Sequence, residues 1–277
     1  MLKQRVLTAL VLIGLLLPAL FAPVAWPFAV LTLVLIAAAG WEWCRLNGAP
    51  HSAVAWAGAL AVACGTAFWA GWSAAPPRMA WWLASAVWML GGAFVLRGGP
   101  KAWSTLPTGM RIAIGLTLLW AAWLALSSAR AIGVNFIMSL FCLVWAADIA
   151  AYFGGKAWGR RKLAPSISPG KSWEGVWSGM AGALVLAGLW LWIDASFAVD
   201  TPSVYSRVVS RLGFVGLALA VLFLAAMSVV GDLFESLVKR AAGAKDSSAL
   251  LPGHGGVLDR IDALLPVFPI ALALVSV

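Results

Sequence analysis

The stretch VLTALVLIGLLLPALFAPVAWPFAVLTLVLIAAAGW, residues 6–41, contains no charged side chain. About 20 apolar residues, at 1.5 Å of rise each, match a hydrocarbon core roughly 30 Å thick. The run is therefore long enough for two membrane crossings. Pro23 and Pro27 mark the break between them, because neither can donate a backbone hydrogen bond inside a helix. Working outward, the same test finds apolar runs at 53–72, 79–96, 112–129, 131–153, 175–193 and 212–231, and a last, short one at 258–277.

These runs predict an all-α fold, a polytopic integral membrane helix bundle of about nine transmembrane helices. Composition excludes a soluble globule, since 63% of the residues are hydrophobic, only 10% are charged, and 18 are Trp. No internal repeat, long linker or separate soluble domain interrupts the pattern. The chain reads as a single membrane domain, 1–277, with N-terminal helices in 1–130 and catalytic helices and cytoplasmic loops in 131–277. The first span follows MLKQR, but its apolar stretch is long and no A-x-A site follows, so it is expected to be a retained helix rather than a cleaved signal.

Orientation follows from Lys and Arg, which accumulate in cytoplasmic loops. With the N-terminus inside and the C-terminus outside, only Arg78, Arg130, Arg207 and Arg211 of the 19 basic residues fall on the outer face. The net charge of +9 is thus explained by inside loops facing anionic lipid, and it gives no support to nucleic-acid binding. Cys44, Cys64 and Cys142 are odd in number and far apart, which indicates neither a disulfide framework nor a zinc site.

Two polar segments break the apolar monotony, both on the inside face. Asp232, Glu235, Asp246, Asp259 and Asp262 place half of the chain's ten carboxylates around the last two spans, among Lys239, Arg240, Lys245, His254 and Arg260. Carboxylates at helix ends near lipid are costly and call for cation partners. Asp259 and Asp262 are three apart and share a helix face, and Asp232, Ser236, Lys239 and Arg240 share one stripe of the preceding helix. Two helices meeting at a loop could aim Asp232, Asp259 and Asp262 into one pocket as hard oxygen ligands suited to Mg²⁺. Gly253, Gly255 and Gly256 around His254 allow close approach of backbone N–H groups to phosphate oxygens. Metal ligands, a glycine loop and cations together point to phosphoryl or nucleotidyl transfer.

The second segment, DIAAYFGGKAWGRRKLAPSISPGKSWEG, covers residues 148–175. Asp148 lies within an apolar run, where an acid costs roughly 2.5 to 3.5 kcal/mol, so it is a functional candidate, with an ion pair to Lys156 as the structural alternative. Ser168, Lys171 and Ser172 could hold a phosphate or nucleotide, and Glu174 could cap the seventh span.

The stretch SLVKRAAGAKDSSALLPGHGGVLDRID, residues 236–262, resembles the signature of the phosphatidate cytidylyltransferases, also called CDP-diacylglycerol synthases. The agreement comprises Ser236, Lys239, Arg240, Lys245, Asp246, His254, Gly255, Gly256, Asp259, Arg260 and Asp262 at the family's spacing. KLAPSISPGKSWEG, residues 162–175, is similar to a second family motif, with Ser172 where Thr is common; Ser248 stands where a small residue is usual. Outside these motifs the likeness is one of hydropathy and length. The resemblance implies a homodimeric enzyme of the bacterial-type cytoplasmic (inner) membrane, with its active site facing the cytoplasm. It would convert CTP and phosphatidic acid, a membrane lipid, into CDP-diacylglycerol and pyrophosphate. It implies dependence on Mg²⁺, held by Asp232, Asp259 and Asp262, and a second, monovalent cation such as K⁺ beside it. The expected catalytic group is Asp232, Lys239, Asp246, His254 and Asp259. Substrate binding is expected from Arg240, Lys245, Arg260, Gly255, Gly256, Asp148, Lys156, Ser168, Lys171, Ser172 and Glu174.

Two other classes fit less well. A lipid transporter or flippase would place paired half-helices or an inverted repeat around midplane acids, whereas these acids gather at one face. A CDP-alcohol phosphatidyltransferase would carry D-G-x-x-A-R, which this sequence lacks.

Overall fold

The computed structural model describes residues 2–276, and of Leu2, Lys3 and Arg78 the backbone alone. The end of the last expected span at Val277 and the Lys3 and Arg78 side chains counted for orientation therefore lie outside the described residues. The elements are α1 (Leu2–Phe21), α2 (Trp26–Leu46), α3 (Ala53–Trp69), α4 (Arg78–Ala86), a π-helical turn (Val87–Gly91), α5 (Gly92–Thr105), α6 (Thr108–Ile132) and α7 (Val134–Trp158). A hairpin of β1 (Lys162–Ala164) and β2 (Ser168–Ser172) leads into α8 (Trp173–Ser196), α9 (Val204–Ala241), α10 (Leu258–Ile261) and α11 (Leu264–Val275). The chain is an all-helical membrane bundle whose one sheet, among the described residues, is this antiparallel hairpin, with Lys162 opposite Ser172 and Ala164 opposite Ser168.

Seven described stretches are long and apolar enough to cross a membrane: Gln4–Phe21, Trp26–Leu46, Met79–Thr105, Thr108–Ile132, Val134–Trp158, Trp173–Ser196 and Val204–Ala241. The other two expected spans form shorter helices, 17 residues in α3 and 12 in α11. Pro27 lies in the first turn of α2, where its missing N–H leaves no bond unmade, and the break expected near Pro23 spans residues 22–25. The carbonyls left open at the end of α1 are taken by Arg130 of α6, whose Nε donates to Leu20 O at 2.8 Å and Nη2 to Ala22 O at 2.6 Å.

The last expected span is broken in two. Helix α10 ends at Ile261, the Ala263 N–H turns to Asp262 Oδ1 at 2.8 Å, and α11 starts afresh at Leu264 with Pro266 in its first turn, where a missing N–H leaves no bond unmade. At 12 residues, or about 18 Å, α11 is almost wholly buried against α9, α4 and α6. Helix α9 runs well beyond the expected 212–231, with a kink at Gly213 (φ 68°). Its C-terminal turns carry Asp232, Glu235 and Lys239 out of the apolar run and into the polar end.

Close packing of α7 on α8 fixes the site's scaffold. Gly175, Gly179 and Gly182 form a small-residue stripe on α8, and a Cβ on Gly179 would lie 2.8 Å from Ala147 O. Only a residue without a side chain lets the two backbones approach this far. At the opposite end, Asp200 accepts the Val134 and Asn135 N–H groups at 2.6 and 2.9 Å, capping α7. Asp194 accepts from Asn135 Nδ2, Ser203 and Ser206, which binds the ends of α7, α8 and α9 together. These two acids, left out of the expected site, serve as helix caps.

Candidate active site

The polar segments meet at one end of the bundle. Thr8 Oγ1 of α1 donates to Pro252 O at 2.9 Å, and Arg240 Nε of α9 donates to Ile167 O of the hairpin at 3.3 Å. The start of α1, the hairpin and the 242–263 segment thus share a face.

The expected stripe on α9 is present. Ser236 Oγ donates to Asp232 Oδ1 at 3.3 Å, and Asp232 Oδ2 is paired with Lys171 Nζ of β2 at 2.6 Å. Two residues after Asp232, and so on the other side of the helix, Phe234 sits among Trp43, Trp88 and Trp103 with ring centroids 5.8, 5.5 and 5.4 Å away. Aromatic pairs of this kind each add about 0.5–1.5 kcal/mol beyond burial, and they fix the rotation of α9. Lys239 is buried between two carboxylates, with Nζ 2.5 Å from both Glu235 Oε2 and Asp259 Oδ1.

Asp259, on the four-residue α10 outside the membrane-spanning helices, has both oxygens engaged. Oδ1 takes Lys239, while Oδ2 accepts Ser247 N at 2.9 Å, Ser247 Oγ at 2.8 Å and Gly256 N at 2.8 Å. Burial raises this carboxyl, but the Lys239 ammonium and the N–H and hydroxyl donors outweigh it and hold it at about 2. Asp262, in the turn between α10 and α11, behaves oppositely. Burial and the charge of nearby Asp232 push its carboxyl well above the usual carboxylate range. It reaches this position because its carbonyl rests on Gly231, where a Cβ would come within 2.4 Å of Asp262 O.

A cavity of about 590 Å³ opens between α7, β2, α8 and α9. Its lining combines polar Asp148, Lys156, Ser168, Lys171, Ser172 and Asp232 with apolar Ala147, Val176, Met180, Ala225 and Val229. Asp148 makes no hydrogen bond or ion pair among the described residues, Lys156 included, and it feels the charges of Lys171 and Asp232 instead.

Glu174 lies outside this lining. It accepts the Arg160 and Arg161 N–H groups at 3.1 Å and pairs with Arg161 Nε at 3.0 Å, tying the hairpin's entry to α8. Ser172 lines the cavity and also caps α8 by accepting Gly175 N at 3.2 Å. Lys245, Asp246, Arg240 and Arg260 are exposed beside the cavity rather than within it. Arg240 also donates through Nη1 to Ala244 O at 3.0 Å, and Arg260 donates through Nε and Nη2 to His254 O at 3.1 and 2.7 Å. His254 Nδ1 is buried with no partner among the described residues. Gly255 takes φ 84°, and Gly256 is squeezed between Ser247 and Glu42.

Glu42 of α2 is the residue the sequence reading missed. It is fully buried, and its carboxylate accepts from Ser247 Oγ, Ser248 Oγ, Val257 N and Leu258 N at 3.2, 2.5, 2.9 and 2.7 Å. The available signal was an acid flanked by Trp41 and Trp43 at the end of a charge-free run. Glu235, counted among the acids but left out of the expected site, is the second such residue, buried against Lys239.

Among the described residues no group of three or more His, Cys, Asp or Glu side chains forms a metal cage. Mg²⁺ seldom needs one, since it takes one or two carboxylates and completes its octahedron with water and phosphate. Asp232 lines the cavity and repels both Asp148 and Asp262, and carboxylates of this kind suit such an ion. Asp259 Oδ1 takes the Lys239 ammonium alone and keeps a lone pair for a further ligand, so the expected set of Asp232, Asp259 and Asp262 stands as an expectation.

The chain matches the family model described as the cytidylyltransferase family over residues 3–277. It is similar to the phosphatidate cytidylyltransferase of Pseudomonas aeruginosa, 39% identical over 278 residues that cover 99% of this chain and 97% of that protein. The phosphatidate cytidylyltransferase of Haemophilus influenzae is 50% identical over 137 residues, 50% of this chain and 44% of that protein. That of Bacillus subtilis is 41% identical over 137 residues, 50% of this chain and 46% of that protein. A helical membrane bundle with most of its acids drawn to one end is thus accompanied by a match along nearly its whole length, and the chain belongs to the cytidylyltransferase family.

Proposed function

We propose that this chain is a phosphatidate cytidylyltransferase, transferring the cytidylyl group of CTP to phosphatidic acid and releasing pyrophosphate. The observation that carries this reading is the cavity between α7, α8 and α9, whose lining joins apolar Ala147, Val176, Met180, Ala225 and Val229 to polar Lys156, Lys171, Ser168, Ser172, Asp148 and Asp232. A lipid's acyl chains match the apolar residues and its phosphate the polar ones, at the face where CTP arrives from water.

The chemistry demands little covalent help from the protein. An oxygen of the lipid phosphate attacks the α-phosphorus of CTP, a new P–O bond forms, and the α–β anhydride bond breaks with pyrophosphate leaving in line. The attacking phosphate is already anionic, so positioning and charge neutralisation supply the catalysis. Lys171, oriented by its 2.6 Å pair with Asp232, and Lys156 meet the lipid phosphate. Lys245, Arg240, Arg260 and the His254–Gly256 turn hold the triphosphate. Lys239, fixed by Glu235 and Asp259, keeps a positive charge beneath the reacting groups, and Asp246 orients the same loop. Asp232, Asp259 and Asp262 would hold Mg²⁺, which when bound would further neutralise the phosphate charge. The same reading includes an inside N-terminus in the cytoplasmic membrane, a monovalent cation such as K⁺ and a homodimer, supported by the charge distribution and the family resemblance.

The deciding experiment is pyrophosphate release from detergent-purified protein given CTP, phosphatidic acid and Mg²⁺. Release that needs all three is the expected result. Folded, CTP-binding protein that releases none would refute the proposal.

A further inference from the structure

Glu42 stands at the end of α2, more than 200 residues before the segment it touches, and it is 0% exposed. A buried carboxylate normally has a cation beside it, yet none of the ion pairs among the described residues includes Glu42. Hydrogen bonds compensate instead, all four from residues 247–258. Two come from the Val257 and Leu258 N–H groups at the start of α10, which have no acceptor within that four-residue helix. The other two come from Ser247 and Ser248.

Ser247 links this carboxylate to the next one. Its N–H goes to Asp259 Oδ2 at 2.9 Å, and its hydroxyl lies 2.8 Å from Asp259 and 3.2 Å from Glu42. With one proton, the hydroxyl serves one carboxylate at a time. Gly256 completes the contact, since a Cβ there would sit 2.4 Å from Glu42 Oε1.

Resting on the cytidylyltransferase reading above, we infer that Glu42 is a positioning residue for the nucleotide half of the site. It holds α10 and its loop so that Asp259 meets Lys239 and Asp262 rests on Gly231 beside Asp232. The apolar lining that suits the lipid is built from α7, α8 and α9, and the main partners of α2 are instead α1, α3, α6 and α10. Loosening Glu42 therefore weakens use of CTP and Mg²⁺ while sparing use of lipid.

The test is Glu42→Gln, which keeps the size but turns an NH₂ toward backbone donors, beside Glu42→Asp. Steady-state rates with CTP and phosphatidic acid varied separately are combined with hydrogen exchange at Val257 and Leu258. Expected are a tenfold or greater rise in KM for CTP, KM for phosphatidic acid within twofold, and tenfold faster exchange at both amides. Glu42→Asp should fall between wild type and Glu42→Gln. Equal rises in both KM values, which a general loosening of the site produces, or a fall in kcat alone, which an inactive fraction produces, would overturn the inference. Should Glu42→Gln not fold, Ser248→Ala removes one bond of four and should raise KM for CTP about threefold; no change would count against Glu42. If wild-type protein releases no pyrophosphate, the enzymatic reading fails, and the exchange rates alone decide whether Glu42 holds the loop.

Discussion

Replacing Gly231 by Ala tests whether the active-site geometry is set by backbone contact. A Cβ at this position would lie 2.4 Å from Asp262 O and 2.9 Å from Pro266 Cδ. Ordinary C···O contacts close at about 3.3–3.6 Å, so the α10–α11 turn must withdraw by about 1 Å. Overpacking of this kind costs about 1–3 kcal/mol, which a folded bundle survives. Catalysis is less tolerant, since a displacement of about 1 Å at a reacting centre can lower the rate roughly 100-fold. The rate of CTP- and lipid-dependent pyrophosphate release should therefore fall by about that factor, in protein that elutes as a single species and binds lipid as before. Gly188→Ala, whose Cβ meets nothing within 4 Å, is the matched control and should keep its activity. If Gly231→Ala retains more than half the wild-type rate, the seating of Asp262 on α9 does not govern the site, and its pairing with Asp232 must be reconsidered.

Asp259→Asn should lose pyrophosphate release by 100-fold or more, because the amide cannot hold the Lys239 ammonium while accepting three other donors; near-normal turnover would remove Asp259 from the argument. Arg130→Ala exposes the carbonyls ending α1 and should lower the melting temperature in detergent, by a loss of about 1–3 kcal/mol, without shifting either KM; an unchanged melting temperature would deny the cap. Chelation of divalent cations should abolish turnover reversibly while leaving the protein folded, and turnover that persists in excess chelator would exclude Mg²⁺ at Asp232, Asp259 and Asp262.

The membrane helices could be read directly because a missing charge over 20 residues has one structural meaning in a bilayer. The polar clusters were equally visible, since an acid such as Asp148 stands out where hydrophobicity is the rule, and Asp232 with Lys239 follows helical spacing. What spacing could not disclose was which polar groups were already occupied. Asp259 and Asp262 look alike in sequence, three residues apart, yet one is held by four hydrogen bonds and the other lies under the charge of Asp232. That difference depends on Gly231 and Pro266, whose effects are backbone contacts rather than chemistry. Glu42 escaped for another reason: a Glu at the end of an apolar run reads as an ordinary helix-end charge, and its four partners come from the far end of the chain. The kink at Gly213 and the short, enclosed α11 likewise follow from packing among helices rather than from hydropathy.

The bond between Glu42 and the 247–258 loop also bears on how the protein is made. Chains grow at about 5–20 residues per second, so α2 leaves the ribosome about 10 to 40 seconds before Val257 and Leu258 exist. Throughout that interval the Glu42 carboxylate has none of its final donors and must stay hydrated at the membrane surface. It can leave water only when the C-terminal segment arrives, so this polar end of the bundle closes late in synthesis, and a ribosome stalled before residue 247 leaves helices in the membrane with Glu42 still unpaired.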